Sequence, residues 1–139
     1  MGREYLCVVR GDVQDEFTLT DYLIKDEVRN QVVVCSADEK GAQLAVLHGH
    51  CIDRRQGTAL CSIRLETGRS HQIRVQMSNI GAPLWGDNRY GSGIPGQQIA
   101  LWGYKLTLEH PVSHEILTWY SMSYGSIWSV YQDLLMLEP

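Results

Sequence analysis

Several things are missing from this 139-residue chain, and each absence excludes something. No apolar run approaches the roughly 18 residues that a membrane-crossing helix needs, so no membrane partner is expected. The four cysteines, Cys7, Cys35, Cys51 and Cys61, have no tight pairing and no C-x-x-C spacing. That argues against a disulfide framework and against structural zinc. No signal-peptide pattern opens the chain, and the expectation is of reduced thiols in a cytoplasmic protein. No internal repeat and no low-complexity linker break the sequence, so residues 1–139 are expected to form a single domain. Base is scarce: 12 lysines and arginines face 16 acids, for a net charge of −4. Taken alone, that balance speaks against a nucleic-acid binder, because phosphate contacts need cations.

What is present qualifies this last exclusion. Residues 61–90 carry four arginines against two acids, a local reversal of the overall sign. The reversal centres on LETGRSHQIRVQMSNIGAPLWGDNRYG, from Leu65 to Gly91. Local field matters more than total charge when a ligand docks.

Periodicity places this stretch. EYLCVVRG alternates, with Tyr5, Cys7 and Val9 on one side and Leu6, Val8 and Arg10 on the other, as in a strand covered on both faces. QVVVCS and AQLAVLHGHCI read as further strands, and TLTDYLIKD as a short helix or turn. ALCSIRLE alternates with Cys61, Ile63 and Leu65 inward. The period then changes. Ser70 is a candidate N-cap, and Ile73, Met77 and Ile80 form a helical apolar stripe. Gly81 stands where a left-handed C-cap belongs, and Pro83 prevents continuation. His71, Arg74 and Ser78 share another face of that helix. WGDNRYGSG reads as a glycine-punctuated loop, YKLTLE and EILTWYSM as a hairpin through HPVSH, and SVYQDLLM as a closing helix. The fold class expected is α+β, a mixed, mostly antiparallel sheet with a few helices.

A charge cluster is most often a solvated face. Here its position argues for more. Arg69 sits in a glycine turn that opens a helix, and Arg74 in the first helical turns. Backbone N–H groups and the helix dipole add positive potential at such a place. An arginine there can grip a phosphate or a carboxylate bidentately. His48, His50 and Cys51, in HGHC, are a weaker signal. On a strand the histidines face one way and the cysteine the other, so they do not converge on one ion, and no metal is expected. No nucleophile elbow suggests a hydrolase.

The run TGR-x-HQIR, then GxP, then GDxxYG, resembles the most recognisable block of the RluA-like pseudouridine synthases, which isomerise uridine in ribosomal and transfer RNA. EYLCVVRG resembles the family's tyrosine-bearing strand, and TLTDYLIKD and LTLEHP resemble other family segments. The resemblance runs from about Arg3 to about Tyr120. It implies RNA as partner, no cofactor, and a target uridine flipped out of its helix. By resemblance Tyr5 lies against the target base. Arg74 pairs with the catalytic aspartate and keeps it ionised. Arg69 and His71 shape that wall. By their charge, Arg64 and Arg89 are expected as further substrate contacts. Gln76 stands where the family often has histidine. The family's nucleophilic aspartate belongs to an R-L-D motif ahead of the tyrosine strand, and these 139 residues contain no R-L-D. Asp21, Asp26 and Asp87 match structural positions of the family, and Asp53 is expected in a loop. The chain therefore looks like the C-terminal part of a synthase catalytic domain, inactive alone, whose partner is the N-terminal segment it lacks. Self-association through an uncovered sheet edge is a further expectation. The alternative is a non-catalytic RNA-binding or structural remnant of the same family.

Overall fold

The structure is a computed structural model and describes residues 3–91, 99–104 and 127–131. Among these residues six strands form one antiparallel sheet in the order β3-β2-β4-β5-β1-β6. They are β1 (Arg3–Arg10), β2 (Glu16–Asp26), β3 (Gln31–Cys35), β4 (Gln43–Arg55), β5 (Thr58–Leu65) and β6 (Leu101–Tyr104). One helix, α1 (Gln72–Asn79), crosses one face of the sheet, and a short 3-10 helix (Ile127–Tyr131) meets the other. This is the α+β architecture expected. The hairpin and most of the closing helix read from the sequence fall outside the described residues.

β1 is the pivot. It pairs with β5 along eight residues and with β6 along four. Cys7, Val8 and Val9 are all fully buried, as a strand with cover on both faces requires. Cys7, Val9, Leu47, Cys51, Cys61 and Ile63 point to the α1 side and pack on Ile73 and Met77. Cys7, Cys61 and Cys51 are register partners on adjacent strands, and all are free thiols. On the opposite face, Tyr131 closes over the β4–β5 turn. Its hydroxyl meets Thr58 Oγ1 at 2.8 Å and accepts the Arg55 N–H at 3.1 Å.

TLTDYLIKD is not a helix. It is the greater part of β2, an eleven-residue strand paired with β4 on one side and β3 on the other. Its Thr, Tyr and Ile content suits a strand, and two neighbouring strands satisfy its backbone on both sides. A bulge interrupts β4 between Cys51 and Asp53, leaving Ile52 outside the pairing and exposed. Asp53 is thus a strand residue rather than a loop residue, and its carboxylate accepts from Arg55 Nε at 2.6 Å.

The helix departs from expectation at the last residue of its apolar stripe and at its N-cap. Ile73 and Met77 are buried, but Ile80 is 44% exposed. The buried face is completed by Gln72, Val75 and Gln76. The N-cap is His71, with left-handed φ of 56°, rather than Ser70. No side chain caps the helix; the Gln72 side chain instead folds back onto the preceding turn, its Oε1 accepting the Arg69 N–H at 3.0 Å and the Thr67 hydroxyl at 2.8 Å. Gly81 ends the helix as foreseen. It has φ of 85°, and Ala82 N–H to Met77 O and Gly81 N–H to Ser78 O close a Schellman motif.

Candidate active site

The α1 side of the sheet holds a cleft of about 290 Å³, lined by Tyr5, Leu65, Leu101, Ile73 and Gln72, with Arg69, His71 and Arg74 as its cationic and polar wall. Strand register explains the floor. Tyr5 on β1 lies directly across from Ile63 on β5, so both side chains rise from the same face toward the helix. The wall follows from the turn after β5, which delivers Arg69 and His71 within a few residues of α1. Tyr5, Arg69, His71 and Arg74, read separately from the sequence, therefore meet in one place.

Arg64 and Arg89 do not line the cleft. Arg64 alternates with Ile63 and Leu65 on β5 and so points from the opposite face of the sheet, across from Glu4 and His48. Arg89 lies outside the cleft on the loop that follows α1, where Nη1 donates to the Asn30 carbonyl at 3.4 Å.

Arg74 is already engaged. Its Nε and Nη2 donate to the two oxygens of Asp87 at 2.9 and 3.0 Å, a bidentate pair with a fully buried carboxylate. Asp87 Oδ1 also accepts the backbone N–H groups of Arg89 and Tyr90, both at 3.0 Å. Burial pushes the Asp87 carboxyl up, but the Arg74 guanidinium and the two N–H groups outweigh it and hold it below the ordinary carboxylate range. The Asp87 hydrogen bond in turn raises Arg74 further above its usual value. The Arg74 guanidinium also stacks 5.0 Å from the Tyr90 ring centroid. The expectation that Arg74 awaits a carboxylate is thus corrected: a carboxylate from its own chain already holds it. The face shared by His71, Arg74 and Ser78 is the face on which the GDxxYG loop docks, since Ser78 Oγ donates to the Tyr90 carbonyl.

His71 is tied into the same loop. Its Nδ1 lies 2.8 Å from the Tyr90 hydroxyl, and the two rings meet edge to face. The Tyr90 oxygen accepts the Val32 N–H at 3.0 Å, so its own proton is best placed on His71 Nδ1, leaving Nε2 as the donor. Burial, then the Arg74 and Arg89 charges, push the His71 pKa down, so the ring is neutral at pH 7. The cleft therefore holds a neutral imidazole beside its cations.

Arg69 is the cation with free capacity. Its Nε donates to the Leu44 carbonyl at 2.8 Å, and among the described residues no carboxylate pairs with it. Its backbone is fixed by Gln72, which begins a buried polar chain. Gln72 Nε2 donates to Gln76 Oε1 at 2.8 Å, and Gln76 Nε2 donates to Asp21 at 2.9 Å. The Thr67 oxygen that donates to Gln72 accepts the Val46 N–H at 2.9 Å. Every link in this chain is satisfied, which holds the TGR turn in place. The residue types offer a weak signal of Gln72 and Asp87, but only folding brings their partners near. His48 and His50, by contrast, sit outside the cleft, beside Thr18 and Glu66 and beside Glu16 respectively. Among the described residues no group of three or more His, Cys, Asp or Glu could hold a metal ion.

The cleft joins an antiparallel sheet, a tyrosine on its floor and an arginine-bearing turn at its wall, and comparison gives the class. The family model for RNA pseudouridylate synthase matches residues 1–79. The chain belongs to that family. It is 45% identical over 86 residues to an uncharacterized RNA pseudouridine synthase of Synechocystis, a match covering 58% of this chain and 26% of that protein. It is 38% identical over 116 residues to the uncharacterized RNA pseudouridine synthase YlyB of Bacillus subtilis, covering 81% of this chain and 37% of that one. To ribosomal large subunit pseudouridine synthase D of Zymomonas mobilis it is 32% identical over 123 residues, covering 81% and 38%. The chain thus spans about a quarter to two fifths of the length of these relatives. The fold matches human RNA pseudouridylate synthase domain containing 1 with a TM-score of 0.65 at 19% identity, over 74% of this chain and 47% of that one.

Proposed function

We propose that this chain is the tyrosine- and arginine-bearing portion of an RNA pseudouridine synthase. The observation that carries the reading is the convergence of Tyr5, Arg69 and His71 on one cleft of the sheet. The reaction breaks the N1–C1′ bond of a flipped-out uridine and forms a C5–C1′ bond. C5 gives up its proton and N1 gains one, so no oxidant or reductant is involved. Tyr5 packs against the uracil. The attacking carboxylate comes from the R-L-D segment that these 139 residues do not contain. Arg69, rather than Arg74, meets that carboxylate, because Asp87 occupies the Arg74 fork while both terminal nitrogens of Arg69 have no partner among the described residues. Arg74 acts as a positioning residue that seats the GDxxYG loop.

Tritium release from RNA carrying 5-tritiated uridine tests this in a chain extended through the R-L-D segment. Arg69→Ala is expected to abolish release, and Arg69→Lys to impair it, since an ammonium does not replace a planar fork. Full activity of Arg69→Ala would overturn the assignment. The codons upstream of Met1, read in frame, separate the enzyme from a non-catalytic RNA-binding remnant. An R-L-D segment there favours the enzyme.

A further inference from the structure

The cations around the cleft continue past its rim. Lys25, on β2, pairs in register with Val32 on β3. It follows Leu23 by two residues, and Leu23 and Val32 pack on Val75 of α1, so Lys25 belongs to the helix side of the sheet. It is exposed at the outer end of the β2–β3 hairpin.

The hairpin is stitched to the cleft wall. Val32 N–H donates to the Tyr90 hydroxyl, which bonds His71. Gln31 Nε2 donates to the Arg89 carbonyl, and Arg89 Nη1 donates to the Asn30 carbonyl. Lys25 and Arg89 are therefore held on one rigid rim rather than on independent loops. Among the described residues neither has a carboxylate partner, while nearby acids are taken. Asp87 holds Arg74, and Asp26 accepts the N–H groups of Val28 and Arg29 and lies 3.8 Å from Arg29 Nε. Glu27 is the exposed acid that remains in the turn. Both cations are close enough to His71 to push its pKa down, which places them within electrostatic reach of the cleft. In a chain of net charge −4, two cations without a carboxylate partner among the described residues, at one rim of a cleft with a cationic wall, suit a polyanion that leaves the cleft in that direction.

We propose that Lys25 and Arg89 form a phosphate track along the β2–β3 hairpin for the single-stranded RNA flanking the nucleotide held in the cleft. This rests on the reading that the cleft takes RNA. Each residue neutralises one backbone phosphate, and neither reads a base. The contribution is therefore sequence-independent and screened by salt.

The test is fluorescence anisotropy of the whole chain with a labelled short oligouridylate over a salt series. A single-strand phosphate contact changes the log–log salt slope by about 0.7, which corresponds to roughly fivefold in affinity at ~0.1 M salt relative to ~1 M. Lys25→Ala with Arg89→Ala should flatten the slope by about 1.4 and weaken binding roughly 25-fold at ~0.1 M salt. Lys25→Arg with Arg89→Lys should preserve the slope. Arg64→Ala, on the other face of the sheet, should change nothing. Should the alanine pair fail to fold, Lys25→Glu alone carries the test, and a loss of at least fivefold is expected at that salt. An unchanged slope in the alanine pair, with Arg69→Ala still weakening binding, overturns the track and leaves the cleft reading intact. No binding of the probe by the unaltered chain at low salt overturns both.

Discussion

Asp87→Asn is the sharpest probe of the site's architecture. The substitution keeps Oδ1, and with it the N–H groups of Arg89 and Tyr90 and one Arg74 contact. It removes the charge and places an amide N–H against Arg74 Nε, where donor would face donor. Asp87 is fully buried and the Arg74 side chain is 18% exposed, so little water can step in. Breaking a buried pair by removing one partner costs about 3–5 kcal/mol. The residual exposure of Arg74 and the retained Oδ1 contacts put the expected loss near the lower end, about 3 kcal/mol. For a domain of this size that is roughly 10 °C in melting temperature. Urea unfolding followed by tryptophan fluorescence measures it. The pH dependence supplies a second check. The folded-state pKa of Asp87 is depressed, so the pair's stabilisation is fully present above the unfolded value near ~3.9 and fades as pH falls through the folded value. The gap between the parent chain and Asp87→Asn should be constant from neutral pH down to about 5 and narrow as pH falls through the depressed folded-state value. A gap under about 1 kcal/mol at pH 7, or one that persists unchanged in strong acid, would refute a buried, charged Asp87–Arg74 pair.

Three further outcomes are expected. Gln72→Leu should destabilise by about 2–3 kcal/mol, because it orphans the Arg69 N–H, the Thr67 hydroxyl and Gln76 Oε1. It should also weaken oligouridylate binding through the loosened Arg69 turn, and a variant that unfolds at the parent's urea midpoint would count against the polar chain. Tyr131→Phe should cost about 1–2 kcal/mol in the same assay, since its hydroxyl joins Thr58 to the Arg55 N–H, and a neutral result would dismiss that link. The 139-residue chain alone should release no tritium from 5-tritiated uridine RNA, because removal of a covalent nucleophile leaves the step without an attacker. Turnover by this chain would show that one of its own aspartates serves instead.

Much of the molecule could be read along the chain, and the legible parts share a cause. Alternation in EYLCVVRG and ALCSIRLE, the switch to a helical period after TGR and the Gly81 stop are local properties. Each depends on residues a few positions apart, whose geometry the backbone itself dictates. Those signals sufficed to put Tyr5 on a strand and Arg69 and His71 at a helix entrance. Where local propensity is divided, the reading of TLTDYLIKD as a short helix or turn fails. Cross-strand pairing with β3 and β4, which no local window contains, chose the strand.

Tertiary structure alone decided the partners. Arg74 reads from sequence as a cation in want of an acid. Its acid is Asp87, 13 residues on, brought back by the docking of the GDxxYG loop. Arg64 reads as a substrate contact from its charge, but strand parity turns it to the far face, since a shift of one residue reverses the side of a sheet. Ile80 belongs to an apolar period, yet the buried stripe runs through Gln72 and Gln76, because the Gln76 amide finds acceptors in β2 and β4 that a helix alone cannot supply, and Gln72 donates to Gln76. The sequence by itself determined which residue types border the cleft. Which of its arginines is left unpaired there depended on hydrogen bonds between segments far apart in the chain, and those exist only once the sheet is closed.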